Sequence, residues 1–391
     1  MSAASNDKGQ GALVMRLMRK VYGFFASSKL ALALLVTILL CCIIGVTVFR
    51  GEQAWRLIFT TTWFNALLVL LVVNVTFSFI GRTWGRKLTL VSLGMLLFHL
   101  TFLAVFLGVI YNSMFYFHGK LRLSEGETLP NGDFMSYDAI DHGRFFDKSK
   151  LKGQTTLVQL HWNYIVDGDD KVFAYEVAVG EGGLIEPEII YITKHLNYNG
   201  FKYYRDKEAP SMLVTLHDAS GRYIYGGVIP LQSLWMQDKK EYLYTTGTRY
   251  APGTLPFPYP PATPEFDLQV TYHPSKNNRR IGEATFKVWP FKERKEQQEL
   301  QEQKVRKGTI KQNTQSIIAE GRVALGEMFP VKGLYLSLRE VRYWVGMDVR
   351  YDPGYPIILS SLWVGLAGVV LVFIGRLRMF RARQRTLKEQ G

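Results

Sequence analysis

The sequence predicts a membrane protein with four transmembrane α-helices and a large β-rich extracytoplasmic domain between helices three and four. Three observations predict it. Long apolar runs crowd the first third and the last tenth of the 391 residues. Basic residues flank those runs on one side. Between the third and fourth runs lies a stretch of short β-like segments with turn punctuation.

The elements follow in chain order. Residues 1–29 form a basic N-terminus carrying Lys8, Arg16, Arg19, Lys20 and Lys29. The run at 30–49 holds no charge before Arg50 and is long enough to cross the hydrocarbon, which takes ~20 apolar residues. It exceeds a signal-peptide core and lacks a small-residue cleavage site, so it reads as a retained anchor. The second run, 63–80, has Asn74 and Ser78 as its polar exceptions, and the third, 88–110, has His99 near its centre. The fourth spans 356–375 and leads into a basic tail, 376–391, with Arg376, Arg378, Arg381, Arg383, Arg385 and Lys388. The loop between the second and third runs adds Arg82, Arg86 and Lys87. Positive charge favours the cytoplasmic side, so both termini are expected there and residues 111–355 outside. The expected setting is a bacterial inner membrane.

Net charge is +14, from 47 Lys+Arg against 33 Asp+Glu. Much of the excess sits beside the apolar runs, which points to a membrane surface rather than to nucleic acid. The only cysteines, Cys41 and Cys42, are adjacent within the first run, so no disulfide framework can hold the outer domain. Residues 111–355 are numerous enough to build their own core.

In that domain, strands are expected at Thr156–Trp162, Val172–Val179, Met212–His217, Tyr223–Val228, Phe266–Tyr272, Ala284–Trp289 and Leu334–Val341. Gly180–Gly183 and Gly226–Gly227 read as breaks, and Pro252–Pro264 as a loop. The pattern suits an all-β sandwich or open barrel. Phe291–Lys307, of mixed charge, reads as a solvated helix or mobile excursion, with a partner-docking helix as the alternative.

The chain has no phosphate-binding P-loop, no G-x-S-x-G, no H-E-x-x-H and no C-x-x-C. It is therefore not itself a c-type cytochrome, and no catalytic constellation can be drawn from spacing. His118, His142, His161, His195, His217 and His273 are scattered and read as ordinary strand or surface residues.

His99 is the most informative position. An imidazole in hydrocarbon is costly without a partner. Its acceptor nitrogen can bind a metal, including haem iron. Met95, Leu96, Phe102 and Leu103 lie one turn away and could flank a porphyrin; Gly94, Ala104 and Gly108 would admit a close helix or ligand. Alternatively His99 is hydrogen-bonded to another helix, for example to Asn74.

Several stretches resemble one family. SSKLALALLVTILLCCIIGVTVFRG (27–51) is similar to the opening of the ResB family, also called CcsB, of the System II cytochrome c biogenesis machinery. WFNALLVLLVVNVTFSFIGR (63–82) and LGMLLFHLTFLAVFLGVIYN (93–112) resemble its second and histidine-bearing third helices. HLNYNGFKYYR (195–205) is similar to a segment of its outer domain, and VGMDVRYDPGYPIILSSLWVGLAGVVLVFIGR (345–376) carries the most specific feature, the Asp352-Pro353-Gly354 turn into the last helix.

The resemblance implies a non-catalytic membrane subunit of a complex that carries haem b across the membrane and attaches it to apocytochrome c. Its companion would be CcsA, a multi-span protein whose tryptophan-rich motif presents haem. The eight tryptophans here are dispersed and cannot form that platform. His99 would supply one axial ligand to haem b arriving from the cytoplasmic side, and CcsA the other. The competing reading is a membrane-anchored β-rich binding or structural module without haem. A transporter permease is disfavoured, because three spans precede the outer domain.

Overall fold

Where a segment has no water to bond its backbone, the helix satisfies every N–H and C=O internally. In the computed structural model each apolar run is accordingly helical. The structure describes residues 15–49, 52–83, 89–183, 185–237, 241–248, 251–275, 278–291 and 317–389. Lys8, Arg86, Lys87 and nearly all of the charged stretch Phe291–Lys307 lie outside them.

Five helices are labelled here: α1 (15–25), α2 (Ser28–Thr47), α3 (Thr62–Thr83), α4 (Leu90–Phe115) and α5 (Tyr355–Glu389). Three are long and apolar enough to cross a membrane: α2, α4 and the Tyr355–Arg385 part of α5. Described α3 contributes a shorter apolar stretch, Thr62–Ser78. A π-helical turn, Trp55–Phe59, precedes α3. The chain divides into two compact units. One holds residues 1–118, 141–148 and 350–391; the other holds 119–140 and 149–349.

In the helical unit, α4 starts with a capping box. Thr89 Oγ1 accepts from the Ser92 N–H at 3.2 Å, and Ser92 Oγ accepts from the Thr89 N–H at 2.7 Å. The helix runs past Ile110 to Phe115. Its pairing with α5 rests on small residues at seven-residue intervals. Gly94, Thr101 and Gly108 on α4 meet Gly368, Gly365 and Gly354 on the antiparallel partner stretch. Backbones touch: a Cβ added at Gly94 would lie 2.5 Å from the Gly368 carbonyl oxygen. Thr101 Oγ1 lies 3.0 Å from the carbonyls of both Leu97 and Ser361, so this polar group in the seam is satisfied on its own helix and across it. A heptad of small residues is the pattern of a left-handed close helix pair. The small residues Gly94 and Gly108 thus serve a helix and not a ligand. Gly94→Leu should cost about 1–3 kcal/mol by forcing the backbones apart; thermal unfolding in detergent checks it.

A second cluster gathers Ile58, Phe64, Leu68 and Ile110, with Ile38, Cys41, Phe49 and Phe106 against them. Cys41 therefore packs as a small hydrophobe.

The other unit is β-rich. A seven-stranded sheet runs Tyr223–Pro230, Phe201–His217, Leu334–Tyr351, Phe117–Ser124, Tyr137–His142, with Met328–Val331 and Leu196–Tyr198 paired off this path. A six-stranded sheet runs Gln232–Met236, Glu241–Thr245, Phe266–Pro274, Gly282–Pro290, Ala319–Ala324, with Leu255–Phe257 paired to Phe266–Pro274. A four-stranded sheet holds Thr128–Pro130, Gln154–Trp162, Phe173–Gly180 and Glu188–Ile190. Alternating burial along Phe266–Pro274 and Gly282–Pro290 places Leu268, Val270, Phe286 and Val288 in the core.

Two turn readings are corrected. Gly226–Gly227 lies inside Tyr223–Pro230, where glycine admits a close approach rather than a break: a Cβ at Gly227 would press on the rings of Tyr225, Phe257 and Tyr259. The proline-rich stretch contains a strand, Leu255–Phe257, paired antiparallel with Phe266–Leu268; Pro256 sits within the pairing, opposite Asp267, on a strand at the side of the sheet path.

Glu125 knits this unit together. It is 8 % exposed, and its carboxylate accepts a two-pronged contact from Arg280 at 2.5 and 2.6 Å. It also accepts from the Leu160 N–H at 2.8 Å and the Tyr343 N–H at 3.0 Å. The Arg280 guanidinium lies over the Trp162 ring at 5.0 Å.

Candidate functional site

The site is built on α4. His99 lies nine residues after Leu90 and sixteen before Phe115, hence ~14 Å and ~24 Å along the axis from the two ends. The extension to Phe115 makes its place off-centre, nearer the N-terminal end of the helix. Nδ1 of His99 is 2.7 Å from the Met95 carbonyl oxygen. A carbonyl only accepts, so Nδ1 carries the proton and the lone pair of the neutral ring resides on Nε2. A ligating histidine is commonly oriented this way, by a carbonyl at its other nitrogen.

Which way the ring points follows from the seam. Gly94 and Thr101 are committed to α5, and His99 lies roughly 140–160° around the helix from them at ~100° per residue. Its face also carries Met95, Phe98 and Phe102, all exposed. Phe98 stands edge-on to His99 with ring centroids 6.1 Å apart, and Phe98 and Phe102 pack edge-to-face at 4.9 Å. The half-buried imidazole thus sits among exposed apolar and aromatic side chains on the helical unit. Those residues fit a porphyrin: one nitrogen ligand of fixed tautomer, with Phe98 beside it and the apolar side chains of Met95 and Phe102 one turn before and after.

Asn74 does not hold His99. It is fully buried, and its Nδ2 donates to the carbonyls of Phe25 at 2.6 Å and Ser27 at 3.1 Å. Ser78 Oγ adds a bond to the Ala26 carbonyl at 3.1 Å. These polar residues of α3 satisfy the carbonyls at the break between α1 and α2, which sequence reasoning did not anticipate.

Sequence reasoning also passed over His118. Its ring stacks on Trp55 at 5.7 Å and its Nε2 is 3.5 Å from Asp352 Oδ1. Asn112 binds the Asp352-Pro353-Gly354 turn from both ends, donating to Asp352 Oδ1 and accepting from the Gly354 N–H, each at 3.1 Å. Gly354 is required here because a Cβ would collide with the Gly108 carbonyl and with Asn112. Burial would raise the Asp352 pKa, but the His118 ring, the Asn112 amide and nearby Arg350 outweigh it and hold the carboxyl below its ordinary value. Tyr116 moves the other way: burial, then its bond to Asp141 at 2.8 Å and that carboxylate's charge, raise its pKa.

The Asp352 shift gives a pH prediction. A folded pKa below the unfolded value of ~3.9 means stabilisation that is complete well above that pH. It is lost as pH falls through the folded value. The hydrogen-exchange protection factor at the α4 C-terminus, corrected for the intrinsic rate at each pH, should therefore be flat from neutrality to about pH 5 and fall in stronger acid. Asp352→Asn should remove the acid dependence.

The remaining histidines make local contacts: His161 with Glu176 at 2.8 Å, His217 with Thr215 at 3.0 Å, His273 with Thr285 at 3.1 Å, and His195 against the Tyr204 ring. His142 bonds the Gly143 carbonyl at 3.0 Å. Among the described residues no group of three or more His, Cys, Asp or Glu is placed to hold a metal ion.

A family model described as ResB-like matches residues 85–390, which include α4 with His99, every described strand and all of α5. The chain belongs to the ResB-like family. Membership makes it a membrane-associated protein related to cytochrome c biogenesis, in a family generally associated with a CcsA partner. Comparison with curated proteins gives no match. The matched residues of this ResB-like chain contain three of the resembling stretches, 93–112, 195–205 and 345–376. The stretches at 27–51 and 63–82, and with them α1 to α3, precede it.

Proposed function

We propose that this ResB-like chain is the membrane subunit of a haem-handling cytochrome c assembly complex, working with a CcsA-type multi-span partner. It spans the membrane four times, by α2, α3, α4 and α5, with both termini cytoplasmic and residues 111–355 extracytoplasmic. Arg16, Arg19, Lys20 and Lys29 before α2, Arg82, Arg86 and Lys87 between α3 and α4, and the arginine-rich tail support that orientation.

One observation carries the functional reading: a histidine with its tautomer set by Met95 lies in an apolar surface on the side of α4 turned away from α5. His99 would offer Nε2 as one axial ligand to haem b, and the partner the second. Met95 orients the ring, while Phe98 and Phe102 keep water from the ligand. In this topology His99 lies nine residues from Leu90 and eleven from Ile110, deep in the span, where water cannot compete for its nitrogen. When bound, haem supplies the vinyl groups that the thiols of apocytochrome c attack. The β-rich region then helps position the apocytochrome.

The test is co-purification with a CcsA-type partner, followed by an absorption spectrum. A Soret band that copurifies with the pair is expected. A stable pair with no haem would leave the β-rich binding or structural module as the better reading.

A further inference from the structure

We propose that α1 is an in-plane anchor that lies along the membrane surface and recognises anionic lipid headgroups. It stands outside the residues matched by the family model. The proposal rests on the topology given above, which assigns this surface to the cytoplasmic leaflet.

Helix α1 is a separate element and not the start of α2. Ser27 is extended, with φ −74° and ψ 125°, and breaks the helix. The break is held in place: Asn74 bonds the carbonyls of Phe25 and Ser27, and Ser78 that of Ala26. Tyr22 donates to the Phe77 carbonyl at 3.2 Å, and both Tyr22 and Phe25 pack on the Phe77 ring. These contacts fix the depth of α1. Phe77 and Ser78 are about one turn before Arg82, where the apolar run of α3 gives way to Arg82, Arg86 and Lys87. Helix α1 is thus fastened at the boundary between hydrocarbon and headgroups.

Its surface is divided accordingly. Arg16, Arg19 and Lys20 share a sector of roughly 100°, with Gly23 within it. Leu17, Met18, Val21, Phe24 and Phe25 occupy the other side. Residues 15–25 contain no acid. The apolar side is open: Leu17 is 63 % exposed, Met18 67 % and Phe24 59 %. A helix with a basic stripe, an aromatic and aliphatic opposite face, and a tether to transmembrane segments at interface depth has the character of an interfacial helix. Its cationic stripe adds attraction for anionic headgroups. Lipid, continuous with the surface of α2, is the occupant that both faces fit at once.

The test uses the full chain in vesicles of phosphatidylcholine and phosphatidylglycerol. Cys41 and Cys42 are replaced by alanine, and single cysteines at Leu17, Val21, Arg19 or Gly23 carry a bimane. Lipid-borne spin label should quench the probes at 17 and 21 several-fold more than those at 19 and 23, and aqueous iodide should show the reverse. Equal iodide quenching at all four positions would overturn the proposal. So would shielding of 17 and 21 from both quenchers, because protein would then cover that face. Brominated phosphatidylglycerol should quench Val21 more than brominated phosphatidylcholine at equal mole fraction. The variant R16Q/R19Q/K20Q should lose that preference; an unchanged preference would overturn the headgroup recognition. A label at Arg385 on the opposite side of the vesicle from Arg19 would sink the topology while leaving lipid contact intact. Haem absorbance plays no part in any arm.

Discussion

Replacing His99 by alanine should strip haem from the complex purified with a CcsA-type partner, while the amount of folded protein stays the same. Removing a group that only orients a ligating histidine costs ~10–100-fold in metal affinity. Removing the ligand itself should cost more, so the Soret band should fall by roughly two orders of magnitude under dilution. Maturation of a reporter cytochrome c should fall with it. Folding should survive, because the ring lies on the exposed apolar side of α4 and the α5 seam does not use it. Added imidazole should restore part of the spectrum in the alanine variant by replacing the missing nitrogen. An unchanged Soret band in His99→Ala would refute the ligand role.

The second large effect is expected in the β-rich unit. Glu125→Ala should destabilise that unit by about 3 kcal/mol, the lower end of the range for breaking a buried ion pair from one side, because the Arg280 side chain is 31 % exposed. The deletion leaves Arg280 without its carboxylate and two backbone N–H groups, of Leu160 and Tyr343, without their acceptor. Adding Arg280→Met should recover a good part of the loss, since no uncompensated charge remains inside. Pulse proteolysis of the two variants in the full chain measures both numbers. A cost for Glu125→Ala no larger than that of a surface substitution, within ~0.5 kcal/mol, would show that the network is peripheral.

The helices were legible because a charge-free apolar run has few alternatives in hydrocarbon. The strands near Thr156–Trp162, Phe266–Tyr272 and Ala284–Trp289 were legible because alternation is a local property. What could not be read depends on partners distant in sequence. The strand at Leu255–Phe257 exists because Phe266–Leu268 lies beside it, and its prolines hid that. Asn74 looked like a neighbour for His99, since both are polar positions in apolar helices. Its true partners are the carbonyls of Phe25 and Ser27, visible only once the α1–α2 break is known. His118 carried no signal, because the Asp352 that it meets belongs to the start of the last helix. Two clues were present and unread. The spacing of Gly94, Thr101 and Gly108 matches that of Gly354, Ser361, Gly368 and Gly375, and both are sevens. The split of Arg16, Arg19 and Lys20 from Leu17, Met18 and Val21 was likewise available.

The seven-residue repeat also sets the compass bearing of the imidazole. Because glycines on the far side of α4 lock its rotation, the direction in which His99 faces is decided by atoms that never approach it. Moving the histidine one position along α4 while the small residues stay in place would swing the ring by ~100°. Moving it seven positions would nearly keep its bearing and shift it ~10 Å along the axis. Azimuth and depth are therefore separate dials on one helix, and a docking protein that must meet a single nitrogen can be matched to each in turn.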